Sequence, residues 1–111
     1  MTSLQVRLVN GSSQYEGRVE VFYDNQWGTL CDDNFSYRGA TVICRMLGLP
    51  TETATPHIGG HFPSGTGPIW MTDALCRGSE ANIANCRYRG FDKNNVMNIC
   101  MHSEDAGVTC A

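Results

Sequence analysis

The sequence predicts a small disulfide-rich α+β domain, and three observations carry that expectation. Six cysteines stand in 111 residues with no Cys-x-x-Cys among them, which is the usage of a disulfide framework rather than of a zinc or redox site. The N-terminal third alternates apolar and polar side chains, the period of two that marks half-buried strands. Residues 36–48 instead repeat their apolar positions every three or four residues, as an amphipathic helix does.

The elements follow in order. Leu4-Gln5-Val6-Arg7-Leu8-Val9 alternates as a first strand, and Asn10-Gly11-Ser12-Ser13 is a turn cluster. Gly17 to Tyr23 reads as a second strand with Val19, Val21 and Tyr23 on one face. Asp24-Asn25 can reverse the chain, so Gln26 to Cys31 is expected to return as its hairpin partner. Ser36 is placed to cap a helix, its hydroxyl accepting from an unpaired amide of the first turn. Tyr37, Ala40, Cys44 and Leu47, with Ile43 alongside, form the expected apolar face, and Gly48 and Pro50 stop the helix. Thr51 to Pro68, rich in Gly, Pro and Thr, predicts a long irregular loop. Ile69-Trp70-Met71 predicts a short buried strand, with Trp70, like Trp27, a core residue. Cys76 to Cys86 encloses a loop with room for one helical turn, Gly90 to Ile99 reads as a polar surface loop, and Val108-Thr109-Cys110 as a closing strand. No internal repeat breaks the chain, so residues 1–111 are expected to form one domain.

Composition narrows the function classes. The net charge is −3 with 17% charged residues, without the basic bias of a nucleic-acid footprint. No apolar run approaches the roughly 20 residues that cross a bilayer. Disulfides place the chain outside the reducing cytosol, secreted or in the ectodomain of a membrane protein. No secretory signal heads it, so it reads as a module cut from a longer protein, with Met1 added for expression. Three bridges among six cysteines leave fifteen pairings open.

Six separated runs then converge on one family. Val6-Arg7-Leu8-Val9-Asn10-Gly11, Glu16-Gly17-Arg18-Val19-Glu20-Val21, Trp27-Gly28-Thr29-Leu30-Cys31-Asp32-Asp33, Cys44-Arg45-Met46-Leu47-Gly48, Gly65-Thr66-Gly67-Pro68-Ile69-Trp70 and His102-Ser103-Glu104-Asp105-Ala106-Gly107-Val108-Thr109-Cys110 resemble the scavenger receptor cysteine-rich domain, in order and over essentially the whole chain. The six cysteines resemble its group A form, typified by class A macrophage scavenger receptors. Tyr15 and Leu49 stand where the eight-cysteine form has its additional pair. The resemblance implies the bridges Cys31–Cys100, Cys44–Cys110 and Cys76–Cys86, and a curved antiparallel sheet cradling one helix, with long loops.

It also implies a function. Asp32 and Asp33 follow Cys31, and Glu104 lies four residues beyond Cys100, so the implied bridge would gather carboxylates at one corner. Clustered carboxylates repel unless a cation lies between them, and hard oxygen donors suit calcium or magnesium. The three match the family's divalent-cation site, with an expected affinity on the order of 10⁻⁴–10⁻³ M. For the family's second site, Thr72 stands at the usual acidic position and Ile99 precedes Cys100, so Asp73 and Asn98, or Asn95, are the available substitutes. The plainer alternative is that Asp33 and Asn34 favour the positive end of the helix that follows and that Glu104 or Asp105 pairs with an arginine.

Arg77, Arg87, Arg89 and Lys93 cluster around the Cys76–Cys86 loop. They match anionic groups such as sulfated glycans or lipopolysaccharide phosphates, or else belong to a mixed solvated surface with Glu80 and Asp92. His57 and His61 have a metal-like spacing only on a helix, and Pro56 and Gly59-Gly60 argue for a loop, against zinc. His102 is expected to support local packing or the neighbouring acidic turn. Asn10-Gly11-Ser12 and Asn34-Phe35-Ser36 are glycosylation acceptor patterns at Asn10 and Asn34. No nucleophile elbow, zincin motif or phosphate loop points to catalysis. The expectation is therefore a non-catalytic extracellular binding module for polyanions, microbial surface molecules or extracellular proteins. The alternative is a structural or regulatory module appended to a secreted protease or oxidase.

Overall fold

The computed structural model describes residues 3–92 and 100–111, with the backbone alone at positions 90–92. Among the described residues, seven strands form one sheet: β1 (Gln5–Asn10), β2 (Glu16–Tyr23), β3 (Gln26–Leu30), β4 (Thr55–His57), β5 (Ile69–Leu75), β6 (Arg87–Asp92) and β7 (Gly107–Thr109). One helix, α1 (Tyr37–Met46), packs on it. The sheet order is β4-β7-β2-β3-β5-β6, with β1 on the other edge of β2.

β2 is the central strand. It pairs with β1 from Gln5↔Phe22 to Asn10↔Gly17, with β3 along Glu20 to Tyr23 and with β7 along Glu16 to Arg18. The β2–β3 turn is Asp24-Asn25, with φ of 51° and 60°, the doubly left-handed geometry that matches strand twist and that these two residue types tolerate. Val19 and Val21 are wholly buried on the face the alternation assigns them. The opposite face is covered as well. Arg18 and Glu20 are buried there, and Glu20 Oε2 and Oε1 meet Arg18 Nη2 at 2.9 Å and Arg7 Nη2 at 2.7 Å. Arg18 Nη1 also donates to the Pro63 carbonyl, so the buried charges are paired, as burial demands.

The sheet is mixed, which corrects the antiparallel expectation. β3 and β5 run parallel, through Thr29↔Ile69 and Leu30↔Met71 with a bulge between. After β3 the chain leaves through the helix and the 51–68 segment before returning in the same direction, the long crossover that a parallel pair requires. β5 is also longer than its apolar core suggested, reaching Leu75. The 51–68 segment holds β4, which pairs antiparallel with β7 through Thr55↔Thr109 and His57↔Gly107. Pro56 disguised this strand, and it is tolerated because β4 is a sheet edge.

Ser36 caps α1, its Oγ accepting from the Arg38 amide at 3.2 Å. Gly48 takes φ 69° just beyond the last turn, and the amides of Gly48 and Leu49 return to the carbonyls of Arg45 and Cys44. The buried face is Gly39, Ala40, Val42, Ile43 and Cys44. Tyr37, expected on that face, is 60% exposed and carries Arg38 over its ring at 5.5 Å. Phe35 takes its place beneath the helix, so close to Gly39 that a Cβ there would lie 2.7 Å from the Phe35 ring. Trp70 is buried and donates through Nε1 to the Gln26 carbonyl at 2.9 Å. Trp27 is half-buried beneath Arg7, 4.2 Å from its ring centroid.

The three bridges are those the resemblance implied. Cys31–Cys100 and Cys44–Cys110 join residues 69 and 66 apart in sequence, the second tying α1 to the end of β7. Cys76–Cys86 closes a loop whose single helical turn is a 3₁₀ turn at Ile83–Asn85. Of the surface loop predicted over Gly90–Ile99, positions 90–92 complete β6 and positions 93–99 lie outside the described residues. Among the described residues, no helix is long and apolar enough to cross a membrane.

Candidate functional site

β3 ends where the C-terminal segment passes it. Ala106 donates to the Leu30 carbonyl at 2.7 Å, Cys31 bridges Asp105 in antiparallel fashion, and the Asp32 amide donates to the Glu104 carbonyl at 2.8 Å. The Cys31–Cys100 disulfide locks the same two segments covalently. Asp32 and Asp33 leave β3 at the point where the short 3₁₀ turn His102–Glu104 presents Glu104.

One oxygen from each of Asp32, Asp33 and Glu104 falls within 4.8 Å of the others, beside the Cys31 sulfur, and all three acids are half-buried. The sulfur is consumed in its disulfide, so the available donors are hard carboxylate oxygens. Asp32 Oδ2 accepts from the Gly59 amide at 2.7 Å. Among the described residues, no arginine, lysine or histidine forms an ion pair with any of the three. Two such charges ~4 Å apart repel by about 1 kcal/mol in bulk water and about 4 kcal/mol in a protein-surface dielectric. Three half-buried carboxylates supply the hard oxygen donors that calcium and magnesium take, though fewer than either ion's full coordination, so water or ligand oxygens would have to complete it.

Asp105, next in sequence, faces the other way. Its buried carboxylate accepts from the Gly65 amide at 2.8 Å and pairs with His102 Nδ1 at 3.0 Å, while His102 Nε2 lies 3.0 Å from the Gly67 carbonyl. Asp105 and His102 therefore anchor the 64–67 loop, the packing role expected of His102.

The arginines lie on the side of the molecule that Asn34 shares. Two adjacent open pockets of about 390 and 320 Å³ have Leu75 and Arg87 in common. Arg77 and Glu80 line the first; Arg89, Asn34 and Asp73 line the second. Arg77, Arg87 and Arg89 are all exposed, and Leu75 between them is 51% exposed. Burial pushes the Glu80 carboxyl up, but the amides of Arg77 and Gly78 donate to it at 2.8–3.1 Å and hold it below its ordinary value. Glu80 is thus an anion inside the basic surface. Lys93 lies outside the described residues.

A family model for the scavenger receptor cysteine-rich domain matches residues 9–111. The chain belongs to this family. It is 50% identical over 95% of its length to macrophage scavenger receptor types I and II of Mus musculus, and 41% identical over 100% of its length to lysyl oxidase homolog 2 of Bos taurus. It spans only 22% and 14% of those two proteins. The crystal structure of the third domain of this type in murine neurotrypsin superposes with a TM-score of 0.84 at 44% identity, covering 97% of this chain and 96% of that one.

Within the scavenger receptor cysteine-rich fold, the residues considered for a second cation site are placed differently from the first. Asp73 has φ 54° at an irregularity of β5, and its carboxylate accepts from Asn34 Nδ2 at 2.8 Å and faces Arg89 Nε at 3.5 Å. It joins no cluster of three acidic, histidine or cysteine ligands among the described residues. Asn98 and Asn95 lie outside them. Asn10 is exposed at the end of β1, open as an acceptor, whereas the Asn34 amide nitrogen is engaged by Asp73. Sequence reasoning placed Gly59-Gly60 in a loop but missed that the 57–61 turn reaches Asp32 through the Gly59 amide. Its only visible signal was the Gly59-Gly60 pair between two histidines.

Proposed function

We propose that this domain is a non-catalytic extracellular recognition module. In this reading Asp32, Asp33 and Glu104 hold a calcium or magnesium ion, and the ligands are polyanionic, microbial or host-protein surfaces. The observation that carries it is the convergence of three half-buried carboxylates within 4.8 Å, with no described cationic side chain among them. A bound divalent ion would supply an open coordination position for a carboxylate, phosphate or sulfate oxygen of the ligand. The chain's own residues do the rest: the backbone ladder and the disulfide fix the carboxylates, while Arg77, Arg87, Arg89 and Lys93 attract the same anionic class. The three disulfides support an oxidising, extracellular setting.

Heparin binding with and without EDTA tests this reading. Retention is expected to fall with chelation, with added salt and in Arg87→Ala/Arg89→Ala; retention insensitive to all three would reject it. A second reading, a module that positions a catalytic domain or serves adhesion, is favoured by the 41% identity to lysyl oxidase homolog 2. Cation-independent binding to a single protein partner would select it.

A further inference from the structure

Residues 57–61 form a turn whose two ends are histidines. The rings of His57 and His61 stack with centroids 4.1 Å apart and planes 13° from parallel. Phe62 meets both edge-on, at 5.4 and 4.7 Å. Between the histidines, Gly59 and Gly60 take φ of 68° and 71°, a reversal that favours glycine. A Cβ on Gly60 would also lie 2.8 Å from the Ser103 carbonyl oxygen. The turn so made carries the Gly59 amide to Asp32 Oδ2 at 2.7 Å, with Ile58 63% exposed beside it. The stack closes the base of a turn whose apex is bonded to the acidic corner.

We propose that His57 and His61 are positioning residues for Asp32: their stack is an acid-labile clasp that holds the Gly59 amide on the Asp32 carboxylate at neutral pH and releases it in acid. Its functional consequence, pH-dependent ligand binding, rests on the reading of Asp32 as a binding carboxylate. Two neutral imidazoles carry no net charge to oppose stacking, whereas two imidazolium rings at this separation repel.

The surroundings, burial foremost, favour the neutral form at His57. Burial lowers its pKa first, and the neighbouring His61 lowers it further, against the opposing pull of Glu16. Glu16, on β2, reaches His57 through Thr109, whose hydroxyl lies 2.7 Å from His57 Nε2 and donates to Glu16 Oε1 at 3.3 Å. β7 brings no charged side chain to the pair. The arginines of α1 point elsewhere, Arg38 to Tyr37 and Arg45 to the Glu80 carbonyl. Glu52 is exposed in the preceding segment, and Asp32 faces the apex rather than the base. The unfolded chain therefore binds a proton at His57 more readily than the folded one. The clasp's contribution is present above the ordinary histidine value of ~6.5 and is lost as pH falls through the window below it.

Hydrogen exchange at the Gly59 amide, read by NMR on the whole domain without added cation, tests this directly. The protection factor, which removes the intrinsic pH dependence of exchange, is expected to fall on the order of tenfold between about pH 7.5 and about pH 5. The fall should track the His57 imidazole resonance, with the Val19 and Val21 amides unchanged. In His61→Phe, which keeps a ring to stack, Gly59 protection is expected to persist across the same range. Constant Gly59 protection in the unaltered domain while the histidines titrate overturns the clasp, and so does an equal fall in His61→Phe. If that variant does not fold, the unaltered domain still decides. A domain that loses Gly59 protection in acid but binds no calcium retains the clasp and rejects only the cation reading.

Discussion

Glu20 sits on β2 with one carboxylate oxygen on Arg18 and the other on Arg7, and the value of this triad lies in what its removal exposes. Arg18 is buried, so Glu20→Ala leaves a guanidinium without its counter-ion. The cost of breaking such a pair is about 3–5 kcal/mol, and a urea midpoint shifted accordingly is expected. Arg7→Ala should cost far less, since that side chain is 47% exposed and exposed pairs contribute little. Equal midpoints for Glu20→Ala and the unaltered chain would show that Arg18 finds another partner. Asp105 makes the same point within the C-terminal segment. It is a carboxylate like its neighbour Glu104, yet its bonds to Gly65 and His102 make it a fastener, leaving Glu104 for the corner.

At the scale of elements, the helix gives two predictions of opposite kind. Ser36→Ala removes the hydroxyl that accepts from Arg38 and is expected to cost about 1 kcal/mol. Gly39→Ala would ordinarily stabilise a helix by roughly 0.5–1 kcal/mol. Here the new Cβ falls 2.7 Å from the buried Phe35 ring, so thermal melting should show a loss instead; a gain would mean that Phe35 moves at no cost. The cap, the stop at Gly48 and the β1–β2–β3 meander were legible because each is written locally, in alternation, turn chemistry or spacing. β4 was not legible, because Pro56 argues against a strand until an edge position is known. The parallel pairing of β3 with β5 was hidden for a related reason: an apolar triplet carries no direction. Tyr37 fits the helical period but stands 60% exposed in the first turn, where the buried Phe35 packs against Gly39 instead. The meeting of the acids at the corner was legible only through the bridge that the family resemblance implied, since it depends on which cysteines pair. Nothing in His57 and His61 announced a stack, which arises only once two consecutive left-handed glycines fold the turn.

For the whole molecule, the two long-range disulfides bear on stability and on the placement of the acidic corner alike. Each closes a loop of more than sixty residues, for which chain entropy gives about 4 kcal/mol, comparable with the stability of a small domain. Reduction is therefore expected to unfold the domain, with loss of near-UV circular dichroism; an unchanged spectrum in excess reductant would contradict this. The same bridges make the acidic corner a property of the fold rather than of any one segment. Calorimetric titration of calcium into the unaltered domain, Asp33→Asn, Glu104→Gln and the double variant tests that claim most directly. Weak saturable binding, on the order of 10⁻⁴–10⁻³ M, is predicted for the unaltered chain. It should be lost in each single variant, with the double variant no worse than either. Unchanged affinity in both single variants would contradict the account.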